Sequence, residues 1–260
     1  MENLSVTFPD GNGGRVAAVD KVSFKVGAGE SLGLVGESGS GKTMIGLSIL
    51  GLVPSPGEFH ADHIKLNGED LTQLKADGLR RLRGKAMGMV FQDPNTSLNP
   101  VRTVGELLNE AIRRHRPGLS REAARQTAVE ALTLAGVPGA GDRYGAYPHQ
   151  LSGGLRQRVM VALATVNDPA LLIADEPTTA LDTTIQAQLL DLFKGRLAGR
   201  AMIMITHDLG VAAEICDRIL VLQRGRIVES GPVNDILVQP RDPYTQTLLD
   251  AVPAFDKPYK

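Results

Sequence analysis

The chain has 260 residues, a formal net charge of −1 and 42% hydrophobic residues, enough to bury a sizeable core as one large domain or a domain with an inserted subdomain. The balanced charge argues against a dedicated nucleic-acid binder, which carries a basic excess, and the single cysteine, Cys216, excludes an internal disulfide and a cysteine-based metal cluster. No apolar run approaches the roughly 18 residues of a membrane span, and no charged-then-apolar N-terminal signal is present, so the chain is expected to stay in the cytoplasm.

Alternation in Leu4 to Phe8 and in Val22 to Val26 predicts two half-exposed strands, paired antiparallel. Pro9 to Arg15, rich in Gly, Asp and Asn, predicts the loop between them. Met1 stands just ahead of the first strand, which leaves a short first strand and a trimmed start as alternatives. Leu32-Gly33-Leu34-Val35 predicts a short buried strand, and Met44 to Leu50 predicts the start of a helix.

Between those two lies Gly36-Glu37-Ser38-Gly39-Ser40-Gly41-Lys42-Thr43, which fits G-x-x-x-x-G-K-[ST]. Glycines let a backbone bend so that successive N–H groups point at phosphate oxygens. A helix N-terminus behind the loop adds unsatisfied donors and the positive end of its dipole. Lys42 supplies a point charge for the β- and γ-phosphates, and Thr43 a hydroxyl for Mg²⁺. The plain alternative is a glycine turn between strand and helix. The loop alone does not name a function, because kinases, motors, switches and transporters share it.

Further along, Ile64 to Gly68 predicts a third alternating strand ending in a turn, and Met87 to Phe91 a buried strand. From Asp93 to about Val166 the pattern is mostly helical, with helices over Val104 to Arg114 and Ser120 to Ala135, the second capped by Ser120. Leu171 to Ala174 and Met202 to Ile205 predict buried strands around a helix from Ile185 to Leu197, the signature of a parallel sheet. Ile219 to Leu222 and Arg226 to Val228 predict a hairpin around Arg224-Gly225. After Gly231 the prolines multiply, and a short helix or two before a frayed end is expected. The basic runs Arg80 to Lys85 and Arg113 to Arg116 read as solvated helix faces, and Cys216 as a half-buried helix position. His60, His63, His115 and His149 have no metal-ligand spacing.

Two more motifs carry chemistry. Leu171 to Glu176 is an apolar strand ending in two carboxylates: Asp175 is placed to hold Mg²⁺, and Glu176 to orient or deprotonate an attacking water. In Leu151-Ser152-Gly153-Gly154-Leu155-Arg156-Gln157, Ser152 caps a helix and two glycines permit a close approach. That helix start is a second anion-binding end. One nucleotide needs only one, so the second points to a γ-phosphate arriving from another copy.

With Leu-Ser-Gly-Gly shortly before Ala-Asp-Glu-Pro, the chain resembles the ATPase subunits of ABC transporters over nearly its whole length. The resemblance implies an α/β P-loop NTPase (RecA-like) core with a parallel sheet, an N-terminal antiparallel β subdomain and an inserted helical subdomain. Its expected parts are a core at 1–92 and 167–230, a helical subdomain at 93–166 and a tail at 231–260. It implies that Phe8 stacks on adenine, Gln92 contacts Mg²⁺ or water, Ala180-Leu181-Asp182 crosses a dimer interface and His207 contacts the γ-phosphate. The cofactors implied are ATP and Mg²⁺, with ATP held between Gly36 to Thr43 of one subunit and Ser152, Gly153 and Gly154 of another. The implied partners are a second ATPase, identical or related, two membrane-spanning permease subunits and an extracytoplasmic binding protein, which place the chain at the cytoplasmic face of the membrane.

Leu155 stands where many such ATPases carry Gln. With Gln92 to Pro100, Pro148-His149-Gln150, Gln186-Ala187-Gln188 and Asp242-Pro243-Tyr244-Thr245, it is similar to the oligopeptide, dipeptide and nickel importer subfamily. Many peptide members continue into a tail whose cysteines hold an iron–sulfur cluster. This chain stops at Lys260 without them, so no cluster is expected, and nickel or metal-chelate import stays open beside peptide import. The alternative outside transport is an ABC ATPase of DNA repair or the ribosome, which typically carries long coiled coils or a second ATPase unit.

Overall fold

The computed structural model describes residues 1–179, 181–195 and 199–251. The chain forms two compact units, one of Met1–Leu79 with the chain from Ile203 onward, the other of Arg80–Met202.

In the first unit, strand Leu4–Pro9 pairs antiparallel with Arg15–Val22 on one side and Glu58–His60 on the other. Asp10 Oδ1 accepts the Asn12 and Gly14 N–H groups, both at 2.8 Å, and turns the chain at once. Pairing therefore starts at Arg15 and ends at Val22, which moves the second strand ahead of its expected place at Val22 to Val26. The alternation there is real, because Val22 and Phe24 are buried, but the strand ladder stops at Val22, and Phe24 instead exchanges backbone hydrogen bonds with Met1 at 3.0 and 3.1 Å. The third strand is also displaced. Glu58–His60 is exposed throughout and shows no alternation to read. The expected strand from Ile64 reduces to Lys65–Leu66, paired with Glu69–Asp70 across a tight turn at Asn67-Gly68.

The core strands of this unit lie in the order Arg226–Pro232, Arg218–Gln223, Ser31–Val35, Ala201–Thr206, the last entering the unit at Ile203. Arg218–Gln223 runs parallel to Ser31–Val35 and antiparallel to Arg226–Pro232, as the hairpin signal at Arg224-Gly225 required. Leu32, Leu34, Ile205 and Val221 have no exposed surface, the near-continuous burial of strands covered on both faces. Ion pairs Arg218–Glu30 and Arg226–Asp20, each at 2.6 Å, tie strand ends to the N-terminal segment. Cys216 follows helix Leu209–Ile215 and is buried, not half-buried, beside Gly33. Burial, with the charge of Asp217, pushes its thiol up to about 12. Two short helices, Val233–Val238 and Pro243–Asp250, follow as expected. The expected fraying falls on 252–260, outside the described residues.

In the second unit, Met87–Val90 and Leu171–Asp175 pair in parallel, and every residue of both is buried. The helices are Val104–His115, Arg121–Leu134, Gly153–Thr165 and Thr183–Lys194, with shorter turns between. Ser120 caps the second of these from its side chain, and Thr103 and Glu106 form a capping box on the first. The expected end of the last helix at Leu197 lies outside the described residues. Arg158 donates to the carbonyls of Ala135 and Gly136 at 3.2 Å and to Gln188 Oε1 at 2.9 Å, binding three helical segments together. Among the described residues no helix is long and apolar enough to cross a membrane.

His63 Nδ1 and Asp70 Oδ2 lie 2.6 Å apart. This hydrogen bond, with those from Thr72 and Ile64, holds the Asp70 carboxyl well below the usual carboxylate range despite partial desolvation. A depressed native pKa gives stability that is present above the unfolded pKa and lost as pH falls through the native one. Asp70→Asn is therefore expected to flatten the fall in urea midpoint below about pH 4, the unfolded carboxylate range. An equally steep fall in the variant would remove the pair from the acid response.

Candidate functional site

Strand Ser31–Val35 feeds the loop Gly36 to Gly41, and helix Lys42–Ile49 leaves it. No side chain caps that helix, unlike the helices that start at Ser152, Asp182 and Asp208, and its first turn holds no acidic residue. A bare helix start with no local negative charge suits an anion.

The back of the loop is held by backbone. The Gly225 N–H donates to the Ser40 carbonyl at 3.0 Å, and the Asp20 N–H to the Gly225 carbonyl at 2.9 Å. Gly41, at φ +102°, presses on the Ala18 carbonyl so closely that a Cβ would lie 2.3 Å from its oxygen. Glycine is therefore required there by packing as well as by the bend.

Lys42 is 5% exposed. Its ammonium donates to the carbonyls of Gly36 at 2.7 Å and Glu37 at 2.8 Å, and to Ser40 Oγ at 3.4 Å. The loop thus carries its cation inside its own curve, where burial without such partners would cost several kcal/mol, on the order of 3–5. Phe8, half-buried, packs its ring edge on Gly57, where a Cβ would lie 2.5 Å from Cε1. His207 follows strand Ala201–Thr206 directly and is exposed.

In the second unit, Asp175 ends its strand 3% exposed, and the chain turns at Glu176 with φ +44°. A non-glycine residue in the left-handed region costs roughly 1–2 kcal/mol, which the neighbours offset. The Glu176 Oε2 atom accepts from Gln92 Nε2 at 3.0 Å and Thr179 Oγ1 at 2.9 Å. Two residues singled out separately in the sequence are thus joined, and Thr179 is a third that the sequence did not mark for this contact.

Ser152 accepts from the Leu155 N–H at 3.4 Å and caps helix Gly153–Thr165. The two glycines differ: Gly153 faces open space, whereas a Cβ on Gly154 would lie 2.6 Å from Ile185 Cγ2. Only the first glycine is open toward an outside group; the second is packed on the next helix. Asp182 accepts from the Ile185 N–H at 2.9 Å, so its carboxylate caps helix Thr183–Lys194. Its neighbour Ala180 lies outside the described residues.

The ABC transporter family model matches residues 19–179, and that of the oligopeptide/dipeptide transporter C-terminal region matches 228–260. The chain is 48% identical, over 98% of its length, to the oligopeptide transport ATP-binding protein OppD of Mycobacterium tuberculosis, of which it spans 42%. It is 47% identical, again over 98% of its length, to the dipeptide transport ATP-binding protein DppD of Bacillus subtilis, spanning 77% of that protein. The chain thus spans less than half the length of the mycobacterial relative. A solved dimeric ATP-binding cassette, MJ0796, in a post-hydrolysis state bound to ADP and Pi, superposes with a TM-score of 0.76 at 30% identity, covering 89% of this chain and 97% of that one.

Gly41→Ala is expected to lower unfolding stability by about 2–4 kcal/mol, because the methyl meets a fixed carbonyl at a positive φ. Chemical denaturation measures this, and a loss under about 0.5 kcal/mol would mean that the loop has room to move off Ala18.

Proposed function

The chain belongs to the ABC transporter family, and from that premise we propose that it is the ATP-binding and ATP-hydrolysing subunit of a peptide importer. The similarity to peptide-transport ATP-binding proteins over 98% of the chain is the observation that carries the substrate class. The phosphate loop with its internal lysine supports the nucleotide.

On nucleotide arrival the Lys42 ammonium exchanges part of its bonding to Gly36 and Glu37 carbonyls for phosphate oxygens. A charge-assisted bond to phosphate is about twice as strong as one to a neutral acceptor, which favours the exchange. The loop N–H groups and the start of helix Lys42–Ile49 bind the remaining phosphate charge. Phe8 offers a ring for the adenine. Mg²⁺, when bound, neutralises phosphate charge. Asp175 and Gln92 of the second unit would hold it through oxygen, the donor that suits this hard cation.

Glu176 acts as the base or orienting group for the attacking water. Its carboxylate is positioned by Gln92 and Thr179, so a movement of the Gln92 segment is felt at the water site. His207 senses the γ-phosphate. Two copies, or this chain and a related ATPase, meet head to tail, with Ser152 to Gly154 of one facing the nucleotide of the other. The dimeric state of the similar cassette supports this arrangement. ATP then closes the pair and hydrolysis opens it, because the two states bind nucleotide differently. Separate permease subunits and an extracytoplasmic binding protein complete the importer, with this chain at the cytoplasmic face of the membrane.

Lys42→Ala is expected to raise the ATP dissociation constant by at least about ten-fold in calorimetry, the loss of one charge-assisted contact. An unchanged affinity would remove the loop from nucleotide binding. Glu176→Gln is expected to keep ATP binding and slow turnover by at least ~10²-fold in the assembled transporter. Normal turnover there would shift the base to another group. Uptake assays with labelled di- and oligopeptides and with nickel test the cargo; uptake of nickel alone would overturn the peptide assignment.

A further inference from the structure

The C-terminal segment reaches the phosphate loop. The Glu37 N–H, the second peptide of that loop, donates to the Tyr244 hydroxyl at 3.0 Å, across 207 residues of sequence. Tyr244 lies in the first turn of helix Pro243–Asp250, and its own N–H is capped by Asp242 Oδ1 at 2.8 Å. That turn is in turn anchored to the sheet. Both oxygens of Glu229, on strand Arg226–Pro232, accept backbone N–H groups of the segment: Arg241 at 2.8 Å and Asp242 at 3.1 Å. Thr245, the next residue of the helix, has no exposed surface.

These contacts close a ring. Arg226–Pro232 pairs with Arg218–Gln223, which pairs with Ser31–Val35, the strand that runs into Gly36 and Glu37. The start of the loop is therefore fixed from two directions, by its own strand and by Glu229 through Tyr244. The division of donors follows the same logic. The Glu37 N–H is given to the phenol, and the Ser40 N–H donates to the Glu37 carbonyl at 3.2 Å.

We propose that Arg241 to Tyr244 is a latch on the phosphate loop, and that Tyr244 is a positioning residue that holds the loop in its nucleotide-binding shape. The inference rests on the ATPase reading given above. Tyr244 touches no phosphate in this scheme; it acts through the Glu37 peptide. The phenol is well suited to this. Burial, with the nearby Glu37 charge, raises its pKa above the ordinary tyrosine value, against the bond from the Glu37 N–H, so it stays neutral at physiological pH. Burial alone would raise the Glu229 carboxyl, but the adjacent Thr245 hydroxyl and the bonds from the Arg241 and Asp242 N–H groups outweigh it and hold it below its usual range. The anchor is therefore a charged acceptor, stronger than a neutral one.

Tyr244→Phe removes the acceptor and keeps the ring. Two readouts test the latch on this chain. In the nucleotide-free protein, amide exchange at Glu37 is expected to speed up by about five-fold, the worth of one ordinary net hydrogen bond. The ATP dissociation constant is expected to rise by a similar factor, about five-fold, while kcat in the assembled transporter stays within about two-fold of the parent. Glu229→Gln is expected to weaken ATP binding in the same direction, and Glu229→Gln with Tyr244→Phe to weaken it by less than the product of the two, because both act through one contact. Unchanged Glu37 exchange in Tyr244→Phe would overturn the latch whatever the chain binds. Faster exchange with unchanged ATP affinity would overturn the positioning role. A parent chain with intact Glu37 protection that binds no ATP would instead sink the ATPase reading, and the positioning role with it.

Discussion

The phosphate loop is useful only if its N–H groups face inward, and everything around it follows from that constraint. A loop that gives its donors to a ligand has few left to hold itself. The chain answers by fixing the back of the loop from outside. Gly225 donates to the Ser40 carbonyl, Gly41 sits against the Ala18 carbonyl, and the Lys42 ammonium bridges the carbonyls of Gly36 and Glu37. The hairpin Arg218–Pro232 and strand Arg15–Val22 thus serve the loop as well as the core. Asp20 joins them twice, by its backbone N–H to Gly225 and by its carboxylate to Arg226.

The second unit meets a related demand with side chains. Glu176 must stand at a strand end with its carboxylate out of the core, and a left-handed backbone turns it there. Gln92 and Thr179 then fix one of its oxygens from two sides. Helix starts are used in two ways in this chain. At Ser152, Asp182 and Asp208 a side chain accepts the first N–H groups, which stabilises by about 1 kcal/mol each, whereas Lys42–Ile49 begins without one. The uncapped start forgoes that stability and keeps an anion-binding end.

Contiguous features were the legible ones. The glycine loop, the apolar strand before Asp175-Glu176 and the Ser152 cap each need only neighbours in sequence, and the strands flanking Arg224-Gly225 are marked by their turn. The N-terminal sheet is less legible. Its second strand starts at Arg15 because an Asp10 turn reverses the chain there, and its third strand, Glu58–His60, is exposed on every residue and leaves no pattern. Alternation marks burial, and beyond Val22 the buried Phe24 pairs its backbone with Met1 outside the strand ladder. The Gln92–Glu176 contact spans 84 residues and the Glu37–Tyr244 contact 207, and nothing in one segment specifies its distant partner. A short helix in the tail is expected from the sequence; its docking on the phosphate loop is not.

Cys216 gives this chain a practical property. It is the only cysteine of the 260 residues, it is 8% exposed, and burial pushes its thiol up to about 12. Since the thiolate is the reactive form, maleimide and disulfide reagents find almost nothing to attack at neutral pH. The native sequence is therefore a quiet background for site-directed labelling. A cysteine introduced on an exposed face, beside Gly153 or on the outer turn of helix Pro243–Asp250, becomes the sole reactive thiol, and a spin or fluorescent probe there reports on one place in the folded chain without prior removal of a native thiol.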